Sequence, residues 1–169
     1  HVASPLWRLY HLWGFDGMMQ MLGERPDLAR HAAERYLRLT LAEVRAAQQL
    51  GADGVWIEEC LTDMISPAKF AAINAPLVAE VCAAVRAAGM QAIYYYCGNP
   101  NDRLDLLLSV GADALALEES KKGFTINIDD VVDRVQGRCA LLGNLDAMHL
   151  LEHGSEAELR ASAEQFRAV

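Results

Sequence analysis

No Cys-x-x-Cys pair, no Gly-x-Gly-x-x-Gly loop and no unbroken apolar run of about 18 residues occurs in this sequence of 169 residues. The first absence removes the usual zinc-ribbon and dithiol motifs, the second a dinucleotide-binding Rossmann domain, and the third an obvious bilayer span. Basic residues are also few. Lys and Arg number 15 against 23 Asp and Glu, a net charge of −8, and the lone basic doublet, Lys121-Lys122, is too short to hold a phosphate backbone. Nucleic acid and membrane are therefore not expected partners. No basic-plus-apolar leader is present, which points to the cytoplasm.

What is there suits a packed domain: hydrophobic residues make up 53% and charged residues 22%. The four cysteines, Cys60, Cys82, Cys97 and Cys139, read as reduced thiols. Cys82 and Cys139 fit small buried hydrophobes, whereas position singles out Cys60 and Cys97.

Helical and strand patterns alternate along the chain. Val2-Ala3-Ser4-Pro5 reads as a strand end. Arg25-Pro26-Asp27 opens a long helix whose apolar positions Leu28, Ala32, Tyr36, Leu39 and Ala47 follow helical spacing to about Leu50. Gly51-Ala52-Asp53 leads into a strand at Gly54 to Ile57, closed by Glu58-Glu59-Cys60. Ser66-Pro67 caps a helix to Ala88, which Pro76 should kink or split. A second full strand runs from Met90 to Tyr96, closed by Cys97-Gly98-Asn99-Pro100. After a helix at Leu104 to Val110, Gly111-Ala112-Asp113 repeats the earlier turn and leads to a third strand at Ala114 to Leu117, closed by Glu118-Glu119-Ser120. A short helix at Asp129 to Gln136, with Val131, Val132 and Val135 inward, precedes a fourth strand at Arg138 to Leu142, closed by Gly143-Asn144-Leu145-Asp146. Ser155 and Glu158 form a capping box for a final helix running to Val169. Such alternation predicts a parallel sheet covered by helices. Four strands cannot close an eight-stranded barrel, which takes about 250 residues.

The unusual polar residues gather at the carboxyl ends of the strands, where parallel α/β folds place their sites. Strand alternation puts Trp56, Glu58 and Cys60 on one face. It groups Ile93, Tyr95 and Cys97 in the next strand, Ala114, Ala116 and Glu118 in the third, and Leu142, Asn144 and Asp146 in the fourth. The expectation is a cup of carboxylates, thiols, a phenol and an amide. Crowding would raise a carboxylate pKa, so Glu58 or Glu118 is a candidate acid, and Cys60 a candidate catalytic thiol. Trp56, Tyr95, Asn144 and Asp146 are candidate substrate-binding residues. Cys97 is the one candidate metal ligand. Zinc takes three or four ligands, and His11, His31, His149 and His153 fall on loops or helices, so zinc is allowed but not indicated.

These motifs carry a family resemblance. Gly51-Ala52-Asp53-Gly54-Val55-Trp56-Ile57, followed by Ser66-Pro67-Ala68-Lys69-Phe70 and the internal Pro76-Leu77, resembles the fourth unit of the uroporphyrinogen decarboxylase superfamily barrel. Gly143-Asn144-Leu145-Asp146 is similar to its Gly-Asn-Leu-Asp signature, and Val2-Ala3-Ser4-Pro5 resembles the end of its third strand. The resemblance implies a (β/α)₈ barrel, with residues 1–169 as one partial-barrel domain covering roughly the central half.

Two activities follow from the resemblance. The decarboxylases need no cofactor and usually end the third strand here in Leu-Asp-Trp-Thr, where this chain has Leu117-Glu118-Glu119-Ser120. Their substrate-binding serine aligns with Cys60. The methylcobalamin:coenzyme M methyltransferases use His-x-Cys-Gly for two zinc ligands, where this chain has Tyr95-Tyr96-Cys97-Gly98, keeping the cysteine. Cys97-Gly98-Asn99 tilts the reading towards methyl transfer to a thiol, with a corrinoid as substrate. Decarboxylation of a tetrapyrrole carboxylate and non-catalytic corrinoid or porphyrin binding are the alternatives. Unpaired edge strands imply that the rest of a barrel, or a second copy of the chain, completes the fold.

Overall fold

The computed structural model describes residues 1–118, 123–147 and 149–167, with the side chains of 165–167 left aside. Glu119, Ser120, Lys121, Lys122 and Val169 lie outside the described residues. Five strands form one sheet: β1 (Val2–Ala3), β2 (Gly54–Cys60), β3 (Gln91–Cys97), β4 (Ala114–Leu117) and β5 (Ala140–Leu142). All neighbours are parallel and the spatial order is the chain order, β1 to β5. A doubly wound sheet would reverse direction at a switch point; this one never does. The short β1 is the strand end read at Val2-Ala3, standing beside the four full strands, and β5 begins at Ala140 rather than Arg138.

The pleat separates two faces. Val55, Ile57 and Glu59 of β2 and Ala92, Tyr94 and Tyr96 of β3 are buried beneath helices, while their alternating neighbours are not. The two Gly-Ala-Asp turns do equivalent work. Gly51 and Gly111 take positive φ of 76° and 73°, which glycine adopts without a Cβ penalty. The carbonyls of Asp53 and Asp113 then accept the first hydrogen bonds of the next strands, from Gln91 N and Ala140 N.

Helix α1 (Arg8–Glu24) was not apparent from the sequence, because Gly14 breaks it at φ 67° and its apolar residues follow no clean stripe. Helix α2 (Pro26–Gln49) buries Ala29, Ala33, Leu37, Thr40 and Val44. That corrects the expected face. Leu28 and Leu39 are exposed, since the small residues one position on allow a closer approach to the layer beneath. Thr40 ties this helix to the sheet, its hydroxyl donating to Ala3 O at 3.0 Å while accepting from Arg8 Nε at 3.0 Å.

Helix α3 (Pro67–Ala87) begins where Ser66 Oγ accepts the Lys69 N–H at 3.3 Å. It passes through a π-helical turn at Phe70–Asn74 before continuing as Ala75–Ala87. The turn answers Pro76, whose ring would crowd the carbonyl of the previous α-turn; one extra residue per turn removes that clash without ending the helix. By length and composition α3 is long and apolar enough to cross a membrane, which the sequence reading overlooked. Here it covers the sheet, burying Phe70, Ile73, Leu77, Val78, Val81, Cys82 and Val85. Helices α4 (Leu104–Ser109), α5 (Ile128–Val135), α6 (Leu150–His153) and α7 (Glu156–Arg167) follow. Val131 and Val135 of α5 are buried and Val132 is only partly so. The capping box forms as expected: Ser155 N donates to Glu158 Oε2 at 2.8 Å and Glu158 N to Ser155 Oγ at 3.3 Å.

Candidate functional site

The face of the sheet away from the helices carries Trp56, Glu58 and Cys60 on β2. In register beside them stand Ile93, Tyr95 and Cys97 on β3, then Ala114 and Ala116 on β4. The alanines leave space, and the aromatic pair fills one side, the Trp56 and Tyr95 rings lying 5.0 Å apart at 32°. Tyr95 donates its phenol hydrogen to Glu118 Oε1 at 3.2 Å, bridging β3 to the end of β4. Burial raises the Tyr95 pKa most, with Cys97 and Glu118 adding to it, so the phenol remains a donor.

At the top of β2 and β3 the two thiols are register partners, Cys60 beside Cys97. The Cys60 thiol is pushed well up, first by its hydrogen bond with Cys97, then by burial. Its sulfur lies 3.9 Å from Glu58 Oε1. His1 Nε2 stands 3.7 Å from Glu58 Oε2. This is one histidine near the cup, where none was expected from the strand ends. Among the described residues no group of three or more His, Cys, Asp and Glu side chains is arranged to hold a metal ion.

Asn144 and Asp146 lie in the loop that follows β5. β5 ends at Leu142, so strand alternation stops before it can align them with the cup. Asp146 Oδ1 instead accepts the His149 N–H at 2.8 Å within its own loop. Gly143 shapes that loop: its φ is 90°, and a Cβ there would meet Leu117 O at 2.5 Å. An apolar cavity of about 450 Å³ lies between β5, α5 and α7, lined by Ile128, Val132, Leu141, Leu145 and Ala163 among others. It holds none of the cup's carboxylates.

The model of one family, uroporphyrinogen decarboxylase (URO-D), matches residues 1–168. The chain belongs to that family. The resemblance drawn from the motifs is thereby shown, and with it the fold: the sequentially ordered parallel sheet is part of a (β/α)₈ barrel. Uroporphyrinogen decarboxylases of Coxiella burnetii, from strains Dugway 5J108-111 and RSA 493 / Nine Mile phase I, are 25% identical over 136 residues. The aligned stretch covers 79% of this chain and 36% of each of those proteins. The chain thus spans little more than a third of the curated relatives it matches.

Within the family fold, two buried polar groups escaped the sequence reading. Glu59, on the helix side of β2, is completely buried; Asn74 Nδ2 and Tyr94 Oη both reach its Oε2, at 2.5 and 3.2 Å. Burial raises its pKa to about 7, against the pull of the hydrogen bonds from Asn74, Ser4 and Tyr94. Among the described residues Glu59 Oε1 and Asn74 Oδ1 are buried without partners, a pocket short of one donor that a protonated carboxyl would supply. Its place in the alternation of β2, pointing under the helices, was the available signal. Arg103 is the second. Its guanidinium is buried, donating to Thr62 O at 2.6 Å and Ile65 O at 3.0 Å, and paired with Asp102 at 2.8 Å. Together these groups brace the ends of β2 and β3 that carry the cup.

Proposed function

We propose that the cup is the substrate wall of an enzyme that transfers a methyl group from a corrinoid to a thiol. One observation carries this reading: Cys60 and Cys97 stand side by side at the strand ends, with Glu58 beside them. In the scheme a carboxylate, Glu58 or Glu118, takes the proton of the acceptor thiol. The resulting thiolate attacks the methyl carbon, forming the sulfur–carbon bond of the product as the methyl–corrinoid bond breaks and leaves both its electrons on the corrinoid. Trp56 and Tyr95 offer aromatic faces for a flat macrocycle. Asn144 and Asp146 border the site from the β5 loop. The superfamily's methyltransferases suggest zinc, but the described side chains do not assemble a ligand set for it, and no step depends on it.

Decarboxylation of a tetrapyrrole carboxylate is the second reading, favoured by the curated relatives, which are named uroporphyrinogen decarboxylases. Both readings use the same concave face, a small-molecule substrate and a cytoplasmic setting. In both, the rest of a barrel or a second copy of the chain covers the open side of the sheet, where Trp56 and Leu142 are exposed. The protein mixed with methylcobalamin and 2-mercaptoethanesulfonate should shift the corrinoid spectrum and yield methylated thiol, with at least about tenfold loss in Glu58→Gln. Carbon dioxide release from uroporphyrinogen, without methyl transfer, would replace this reading with the second. Tight corrinoid or porphyrin uptake with neither reaction would make the protein a binder.

A further inference from the structure

We propose that Cys60 and Cys97 form a redox-active dithiol that closes to a disulfide across β2 and β3. The two are register partners on adjacent parallel strands and leave the same face. Adjacent strands lie about 4.7–4.9 Å apart, within the 4.4–6.8 Å Cα separation that a disulfide spans. The Cys60 thiol already hydrogen-bonds to Cys97. Both are thiols half-buried on the open face, whereas Cys82 is sealed on the buried side of α3 and Cys139 precedes β5, two strands from β3.

The geometry also decides what kind of bond this is. In-register side chains start with Cβ atoms about one strand spacing apart, wider than the roughly 3.8 Å a disulfide prefers. Closing it draws the strand ends together, and that strain makes the bond easy to reduce. It is a reversible switch on the cup rather than a permanent staple.

The oxidant is a small disulfide. One cysteine thiolate attacks it, forming a mixed disulfide and releasing one thiol. The second cysteine then attacks the protein sulfur and releases the other thiol. The protein loses two protons and two electrons, and the small disulfide is reduced to two thiols. No substrate enters this cycle, so it stands or falls separately from the methyl-transfer reading.

The four cysteines fall in four tryptic peptides, 46–69, 70–86, 87–103 and 139–160, which makes the pairing directly readable. The full chain is incubated with oxidised glutathione, alkylated under denaturing conditions and digested without reduction. The expected product, in the majority of chains, is peptide 46–69 joined to 87–103, separated again by dithiothreitol, with Cys82 and Cys139 alkylated. In Cys60→Ser the joined peptide should vanish and glutathione should remain on Cys97. Separate glutathione or alkyl groups on Cys60 and Cys97 in the parent chain would overturn the proposal. So would a link from either to Cys82 or Cys139.

Discussion

Asn74 and Glu59 meet inside the protein, the amide of the π-helical turn donating to the carboxyl of β2 at 2.5 Å. The pair sits where α3 presses on the sheet, directly behind the strand end that carries Glu58 and Cys60. Few positions in the chain are so completely enclosed and so polar.

A pH dependence follows from that enclosure. The Glu59 pKa is raised by burial from an ordinary 4.5 to about 7. Below the ordinary value the carboxyl is protonated both folded and unfolded and contributes nothing to the slope. Between there and about 7 the unfolded chain gives up its proton while the folded one keeps it, so stability falls as pH rises. The full loss, roughly 3 kcal/mol, is reached above the folded pKa. Glu59→Gln should flatten this slope in urea unfolding measured from pH 4.5 to pH 8. An unchanged slope in the variant would assign the dependence elsewhere.

Arg103 should be among the costliest side chains to truncate. Its guanidinium holds the carbonyls of Thr62 and Ile65 and lies 5.8 Å from the centre of the Phe70 ring. Arg103→Ala would leave both carbonyls without this donor, at a cost of roughly 2–4 kcal/mol. A change below about 1 kcal/mol in urea unfolding would show that water replaces the guanidinium freely.

Gly143→Ala tests the Gly-Asn-Leu-Asp loop. The added Cβ would press on Leu117 O at a backbone φ of 90°, costing roughly 1–3 kcal/mol. Amide hydrogen exchange should accelerate first at β5, leaving β2 and β3 protected. Uniform protection across all strands would mean that the loop absorbs the methyl group.

Protein purified without chelators should hold no stoichiometric zinc, because the described residues assemble no group of three or more ligands. Elemental analysis decides this. One tightly held zinc per chain, lost in Cys97→Ala, would be the contrary result and would strengthen the thiol-methylation reading.

Much of the scaffold was legible beforehand. Short apolar strands, Gly-Ala-Asp turns, Ser66-Pro67 and the Ser155–Glu158 box are local signals, and each appears where its residues placed it. The inner-face grouping of Trp56, Glu58, Cys60, Tyr95 and Cys97 was legible too, because a strand's alternation needs no knowledge of its neighbours. That rule does not reach Asn144 and Asp146, since the strand stops at Leu142.

By itself, then, the sequence determined the order of elements, the parallel sheet and the pairs of side chains that share a strand face, all consequences of short-range periodicity. Tertiary structure alone decided which helix faces are buried, which is why Ala29 and Ala33 lie inward and Leu28 does not. It also decided that Glu59 meets Asn74 fifteen residues on, and that Arg103 reaches back 41 residues to Thr62. Those contacts depend on how far each helix is rotated and how closely it approaches the sheet, and that is set by the packing of the whole layer rather than by any local stretch of chain.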